Sequence, residues 1–267
     1  MALRVLSYNI CRGGAGKEDQ LSAVIASVEP DVVVFQEATI PAVIEKLAAR
    51  TGMAQCASAK GESLAFMSRQ KVRHFAWHHP RFSRHAFLEI DPGPGELRIF
   101  GVHLSALYSA WTERHRMIEL RALLAGIARH QHGFHLLAGD FNTLAPGDLL
   151  DLRKLPHRPR ALVWLSGGKI RWRTIQLVLD AGYVDVFRVL HGADVGYTFP
   201  TWAPHVRLDY FFTPAGFSSR VHSCEIVTHP DAPKASDHLP LVAEVTETAE
   251  EFTTGPAEYA EPKTLLR

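Results

Sequence analysis

The sequence has few cysteines, almost no net charge and no long apolar run. Three cysteines in 267 residues, Cys11, Cys56 and Cys224, lie far apart and are odd in number, which fits neither a disulfide framework nor a zinc site and suits a reducing compartment. A net charge of +1 gives no sign that the whole surface attracts nucleic acid or membranes. The apolar runs are too short to span a bilayer, and no signal peptide precedes the first predicted strand. We therefore expect a cytoplasmic protein without transmembrane segments.

Apolar segments of strand length alternate with longer helical patterns along most of the chain. Strands are predicted at residues 3–10, 31–36, 63–68, 85–90, 97–104, 135–139, 207–212, 221–227 and 239–245, and helices at 17–28, 41–50 and 110–130. The Pro-Gly-Pro-Gly turn within 91–96 is predicted to join two strands as a hairpin. Hairpins mixed with strand–helix units predict an α/β protein in which two mixed sheets pack face to face with helices outside.

The composition does not change before about residue 246. Beyond it the sequence turns to Glu, Thr, Ala and Pro with little periodicity, which is typical of poorly ordered segments. We therefore predict one catalytic domain at 1–246 and a C-terminal tail at 247–267.

Polar residues recur at the ends of the predicted strands. They are Asn9, Glu37, His103, Asp140, Asn142, Asp209, Asp237 and His238. One such Asp or Glu is usually a cap or turn residue. A carboxylate at the end of an apolar strand is costly to desolvate unless it is paired or binds a metal, and a set this large is hard to attribute to capping alone.

The residue types suit a hard cation. Glu37, Asp237 and Asn9 offer the oxygen ligands that Mg²⁺ prefers, and Mn²⁺ is a possible substitute. We predict a divalent-metal site formed by these three residues.

The remaining residues suit attack of water on phosphorus. Asp140 is a candidate to orient or deprotonate the water, and Asn142 to fix the water or the phosphate. His238, if Asp209 holds its other ring nitrogen, is biased toward the cation and can stabilise charge on phosphoryl oxygens. His103 is a second candidate for contacting the phosphate or protonating the leaving group.

Six short motifs carry a resemblance to a known family. They are Ser7-Tyr8-Asn9, Phe35-Gln36-Glu37, Val102-His103-Leu104, Gly139-Asp140-Phe141-Asn142, Arg207-Leu208-Asp209-Tyr210 and Ser236-Asp237-His238. In this order the sequence resembles the endonuclease/exonuclease/phosphatase (DNase I-like) superfamily. The resemblance implies a four-layered α/β/β/α sandwich with the site at one edge of the two sheets, and a divalent-metal-dependent phosphoester hydrolase. Abasic-site endonucleases carry an Asp where this chain has Cys11, which weakens an assignment to DNA repair.

The substrate class is less well determined. A basic stretch at 153–173 contains Arg171, Trp172 and Arg173, which we predict to be a substrate-binding rim, because basic charge attracts phosphates and Trp stacks on bases. A solvated basic face with buried tryptophans is equally compatible with this pattern. Arg116, near the start of the long helix, is a further candidate for substrate contact, and an exposed helix face is the alternative.

Nucleic acid is therefore our first choice of substrate, with a phospholipid or inositol-phosphate headgroup as the alternative. We expect a monomer. The competing class is a non-catalytic binding module of the same fold, but such proteins usually lose a ligand or the water-activating Asp, and none is missing here.

Overall fold

The computed structural model of the chain describes residues 2–81, 83, 85–105, 110–130, 133–148 and 172–247, with the backbone alone at 110–112 and 129–130. These residues form two mixed β-sheets of six strands each, with helices on their outer faces. The predicted four-layered architecture is confirmed.

The two sheets are built from strands that are distant in sequence. The first sheet has the order β11-β12-β1-β2-β4-β3, with bounds Val221–Ile226, Leu241–Thr246, Ala2–Asn9, Val32–Gln36, Ala65–Ser68 and Gln55–Ser58. The second has the order β5-β6-β7-β8-β10-β9, with bounds His74–His78, Phe87–Asp91, Arg98–His103, His135–Asp140, Asp209–Pro214 and Tyr183–Asp185. In each sheet one central pair is parallel, β1 with β2 and β7 with β8, and the other pairs are antiparallel.

The described residues include six α-helices and two 3-10 turns. They are α1 Glu18–Val28, α2 Pro41–Thr51, α3 Ala110–His130, α4 Arg173–Asp180, α5 Val186–His191 and α6 Ala232–Ala235, with 3-10 turns at Arg12–Gly14 and Ala215–Arg220. Pro41 opens α2, where its missing N–H needs no partner. Gly52 ends the same helix in the left-handed conformation at φ 67°, which glycine adopts without steric cost.

Three apolar layers hold the sandwich together. The inner layer fills the space between the sheets and includes Val34, Phe66, Ile99, Leu136 and Phe211. The outer face of the first sheet packs against α1 and α2, and that of the second against α3 and α4. Central strands such as Val32–Gln36 are buried at every position, which explains why they are continuous apolar runs instead of alternating patterns.

The topology brings several strand ends to one place. The carboxyl ends of β1 and β2 meet because these strands are parallel, and so do those of β7 and β8. Strand β10 runs antiparallel to β8 with Asp209 opposite Asp140, and β12 begins opposite Ser7 near the end of β1. The carboxyl ends of four strands and the amino ends of two therefore lie at one edge, which we call the site edge.

Gly139 permits the close approach of strands at this edge. Its φ is 152°, and a Cβ built there would lie 1.8 Å from the carbonyl oxygen of Val102 on β7. Only glycine fits this position without displacing a strand.

Several elements differ from the sequence prediction. Strands β3, β5 and β9 were not predicted, because they are short, half-buried edge strands without the apolar runs of the central strands. The short helices α4, α5 and α6 were not predicted either. The strand predicted at 207–212 begins at Asp209 and continues to Pro214. The predicted hairpin is confirmed as the antiparallel pair β6–β7.

The predicted tail falls almost wholly on residues 248–267, outside the described residues. Glu247, the first residue assigned to it, is buried, and its carbonyl oxygen accepts a hydrogen bond from Arg220 at 3.0 Å. Within the described part of the chain, none of the helices is both long and apolar enough to cross a membrane.

Candidate active site

Asp140 lies at the centre of the site edge and joins the two sheets. Its carboxylate accepts hydrogen bonds from Asn9 Nδ2 at 3.0 Å, from the Asn142 backbone N–H at 2.8 Å and from Asn142 Nδ2 at 3.1 Å. Asn9 ends a strand of the first sheet and Asp140 a strand of the second. Burial raises the pKa of Asp140 to about 7, against the opposing effect of the neighbouring His238 cation.

His238 lies between two carboxylates. Its Nδ1 is 2.9 Å from Asp209 Oδ2 and its Nε2 is 3.8 Å from Asp140 Oδ2, and all three side chains are buried. Burial lowers the pKa of His238, but the Asp209 and Asp140 carboxylates more than offset this and raise it to about 10. The imidazole is therefore a cation at neutral pH, with Asp209 fixing its orientation.

Glu37 and Asn9 face the turn that follows β1. The Asn9 amide is 3.4 Å from Glu37 Oε1, and Glu37 Oε2 accepts the backbone N–H of Arg12 at 2.6 Å. The Cys11 N–H donates to Asn9 Oδ1 at 3.0 Å. Backbone donors therefore fix one side-chain oxygen of each residue.

Asp237 lies beside this turn. Burial, followed by the neighbouring Asp237 and Glu37 carboxylates, raises the pKa of the Cys11 thiol. The preceding Ser236 donates from Oγ to the Asn9 carbonyl at 2.6 Å and accepts the His238 N–H at 3.2 Å. Ser236 thereby ties the segment carrying Asp237 and His238 to the end of β1.

Strained backbone is concentrated at the same edge. Among the described residues, five non-glycine residues have positive φ, and four of them, Cys11, Arg12, Glu37 and Asn142, belong to this site. The fifth, Glu29, ends α1. Such conformations cost about 1–3 kcal/mol each and persist where the surroundings enforce them, most often at functional sites.

His103 has a different electrostatic environment from His238. Its Nδ1 is 3.0 Å from Ser63 Oγ, and its ring stacks on that of His85 at 5.2 Å between centroids. Burial, followed by the electrostatic effects of the neighbouring His85 and His238, lowers the pKa of His103 to about 3. A neutral imidazole can still hydrogen-bond a phosphate oxygen, but it is poorly suited to supply a proton as a cation at neutral pH.

The side chains present fit a hard divalent cation. Asn9, Glu37 and Asp237 supply one amide and two carboxylates around the turn at Cys11, and oxygen donors of this kind suit Mg²⁺ or Mn²⁺. Asp140, Asp209 and His238 also have possible ligand atoms within 4.8 Å of one another. The second set is better explained as an ion-paired cluster, because a protonated His238 cannot coordinate a metal.

The predicted rim residues lie in different surroundings. Arg116 is buried, with Nη1 bonded to the Ser105 carbonyl at 2.9 Å and Nη2 to Glu113 at 2.9 Å. Glu113 also accepts the Thr174 N–H at 3.0 Å, so the Arg116–Glu113 pair joins α3 to α4 and does not lie on an exposed helix face. Trp172 is 44% exposed immediately before α4.

Arg173, the first residue of α4, is exposed. Arg171 and the rest of the basic stretch to 153 lie outside the described residues.

Three residues of the site were not assigned roles from the sequence. Ser236 and Cys11 both hydrogen-bond Asn9, and Arg12 is an exposed cation whose backbone N–H is bonded to Glu37. The ion pairs found within the described residues do not include Arg12. The positions of Cys11 and Arg12, two and three residues after the strand-end Asn9, were the available signal.

Comparisons with known proteins identify the family and the fold. The sequence matches the model of the Endonuclease/Exonuclease/phosphatase family over residues 6–238. Because this match covers most of the chain, the protein belongs to that family, as the six motifs predicted. No curated protein matches the sequence.

Solved structures of similar fold cover nearly the whole chain. An AP endonuclease from Archaeoglobus fulgidus is 18% identical with a TM-score of 0.71, covering 90% of this chain and 98% of its own. The 3'-5' exonuclease NExo from Neisseria meningitidis is 17% identical with a TM-score of 0.67, covering 91% of this chain and 99% of its own. An endonuclease/exonuclease/phosphatase from Beutenbergia cavernae is 20% identical with a TM-score of 0.64, covering 91% of this chain and 71% of its own. At these identities the likeness shows the fold alone.

Proposed function

We propose that this protein is a divalent-metal-dependent phosphoester hydrolase. The observation that carries the proposal is the buried cluster of Asp140 with His238 and Asp209, placed beside the oxygen donors Asn9 and Glu37. Burying three titratable side chains together is costly unless their charges are used or compensated. The site combines a carboxylate of raised pKa, Asp140, with a histidine cation held in place, His238, and with oxygen donors that suit a hard cation. This combination matches the requirements of phosphoryl transfer to water.

Asp140 is proposed to accept the proton of the attacking water. A carboxylate with a pKa of about 7 is a stronger base than an ordinary aspartate and matches a reaction near neutral pH. Asn142 donates to Asp140 from both its backbone N–H and its Nδ2, and the same Nδ2 donates to the Leu104 carbonyl at 2.8 Å. Asn142 therefore holds the Asp140 carboxylate in one orientation.

His238 is proposed to stabilise the charge that develops on the phosphoryl oxygens. Its Nε2 lies on the Asp140 side of the ring while Nδ1 is held by Asp209. A cation fixed before the reaction needs no reorganisation in the transition state. His103, neutral at this pH, is proposed to contact the phosphate by a hydrogen bond.

Asn9, Glu37 and Asp237 are proposed to hold Mg²⁺, with Mn²⁺ as a substitute. A bound divalent cation supplies neutralisation of phosphate charge and polarisation of the scissile bond. The chain's own contribution is to fix the ligand oxygens through the backbone N–H groups of Cys11 and Arg12.

Nucleic acid is the proposed substrate class. Arg12, Trp172 and Arg173 are exposed, and a cation and an aromatic ring suit a phosphodiester and its bases. Related structures include an AP endonuclease and a 3' phosphatase bound to a DNA hairpin, at identities of 18% and 17%. Arg171, Trp172 and Arg173 remain our proposed rim.

The test is a substrate screen in Mg²⁺ and Mn²⁺ that covers single- and double-stranded DNA, RNA, sphingomyelin and inositol phosphates. Hydrolysis of a nucleic acid that falls steeply with ionic strength supports our choice, because contacts to several phosphates release counterions. Preferred hydrolysis of a headgroup with little salt dependence supports the phospholipid or inositol-phosphate alternative. Binding without turnover of any phosphoester would identify the protein as a non-catalytic module of this fold.

A further inference from the structure

Trp202 is unusually exposed for a large aromatic residue. It is 67% exposed, more than Val189 at 54% or any other large apolar side chain among the described residues. Exposing an indole ring forgoes a large burial energy. A tryptophan exposed next to a proposed functional site is therefore a candidate for ligand contact, since Trp is enriched at interfaces.

Trp202 lies at the tip of a short loop with a fixed backbone. Phe199 and Val206 exchange hydrogen bonds of 3.0 and 3.1 Å, and the Ala203 N–H bonds the Pro200 carbonyl at 3.1 Å. The loop is therefore held closed, and the Trp202 ring is presented without the ordering cost of a flexible segment.

The same loop is bonded to the proposed site. The Thr201 N–H donates to the Asp237 carbonyl at 2.9 Å, and Thr201 Oγ1 donates to the Ser236 carbonyl at 2.8 Å. The Phe199 ring packs on the His238 ring with 4.9 Å between centroids. Trp202 is thus covalently adjacent to a residue that contacts the backbone of a proposed metal ligand.

We propose that Trp202 is a substrate-binding residue that stacks on an unpaired nucleobase flanking the phosphate to be cleaved. This rests on the proposed function and adds a specific contact to it. Every base has an aromatic face, so a fixed indole binds it with little sequence preference. Arg12, exposed on the turn bonded to Glu37, supplies positive charge for the adjoining phosphate, and an aromatic face together with a cation matches the chemistry of a nucleotide.

Binding is measured first, in EDTA, by fluorescence anisotropy of a labelled single-stranded oligonucleotide. Trp202→Ala should weaken binding about tenfold or more, the range found for loss of one stacked base, and Trp202→Phe should restore most of it. The matched control is Val189→Ala, which truncates another exposed apolar residue, on α5, and should bind as wild type. Since the Trp202 ring is exposed and backbone bonds of its neighbours hold the loop, both Trp202 variants should keep the wild-type Tm.

A second series locates the base. Each oligonucleotide of the series lacks the base at one position. At one of these positions, the missing base should weaken binding by wild type as much as Trp202→Ala weakens binding to the intact strand. Trp202→Ala should be insensitive to that missing base, because the two deletions remove the same contact.

Hydrolysis separates this inference from the proposed function. Trp202→Ala should hydrolyse a small chromogenic phosphodiester at the wild-type rate while its KM for the oligonucleotide rises. If wild type hydrolyses nothing but the binding effect appears in EDTA, the proposed function fails and the stacking contact stands. Wild-type oligonucleotide affinity in Trp202→Ala, absence of oligonucleotide binding by wild type, or a loss confined to sphingomyelin vesicles would each overturn the stacking proposal.

Discussion

The Asp209–His238 pair should act as one unit, and a double-mutant cycle measures this. Asp209→Asn keeps the shape of the side chain but removes the charge 2.9 Å from His238 Nδ1. Without that carboxylate the ring loses its orienting partner and its strongest stabilisation as a cation. His238→Ala removes the imidazole itself.

The size of each effect follows from the role proposed. Removing one preorganised donor from a site of developing negative charge costs about 10²- to 10³-fold in kcat, or roughly 3–4 kcal/mol. If Asp209 acts only through His238, each single variant should lose about this much and the double variant little more. Independent action would instead give a combined loss of about 10⁴- to 10⁶-fold.

The assay is kcat for a small chromogenic phosphodiester at saturating metal, measured for wild type, both single variants and the double variant. Thermal unfolding of each variant is the control, because breaking a buried ion pair is destabilising and the comparison requires folded protein. Fully additive losses in folded variants would show that the two side chains work separately and would refute the pairing.

Three further predictions address the metal site, the strand geometry and the buried histidine. Glu37→Gln should fold normally but bind Mn²⁺ about tenfold or more weaker, because an amide oxygen is a poorer ligand than a carboxylate; titration calorimetry checks this, and unchanged affinity would remove Glu37 from the ligand set. Gly139→Ala should destabilise the protein by about 3 kcal/mol, since its Cβ would lie 1.8 Å from the Val102 carbonyl oxygen; denaturant unfolding measures the loss, and wild-type stability would contradict the strand packing. The pKa of His103 is about 3 in the folded protein and about 6.5 in the unfolded chain. As the pH falls below about 6.5, His103 is therefore protonated only in the unfolded chain, which lowers the free energy of unfolding by about 2 kcal/mol at pH 5. The decline in stability between pH 8 and pH 5 should therefore be smaller by about that amount in His103→Gln, and equal declines would show that His103 titrates normally.

The central strands, and the positions of most candidate-site residues at their ends, could be predicted from the sequence. Strands such as Val32–Gln36 are buried on both faces, so their apolar runs are visible in the sequence without knowledge of their partners. Their ends are equally visible, because Asn9, Glu37, Asp140 and Asp209 interrupt or border apolar segments. That these strand ends lie together at one edge could be predicted only from the family resemblance, because the strand pairing that brings them together is not visible in the sequence.

The sequence was not sufficient where tertiary contacts decide a residue's environment. Strand β5 at His74–His78 is exposed or half-buried at every position and has no apolar run to reveal it. Arg116 carries no signal of its pairing with Glu113, which depends on how α3 meets α4. Likewise Phe199 and Trp202 are both aromatic residues of one loop, yet only the structure separates the ring packed on His238 from the exposed one.

The central claim is that this site hydrolyses phosphoesters with a divalent metal and Asp140 as the base. The direct measurement is hydrolysis of bis(p-nitrophenyl) phosphate by the full chain after EDTA treatment, before and after addition of Mg²⁺ or Mn²⁺, with Asp140→Asn in parallel. We predict turnover only when metal is restored, and its loss in a folded Asp140→Asn protein that still binds the metal. Turnover that persists in EDTA, or an Asp140→Asn variant as active as wild type, would contradict the account.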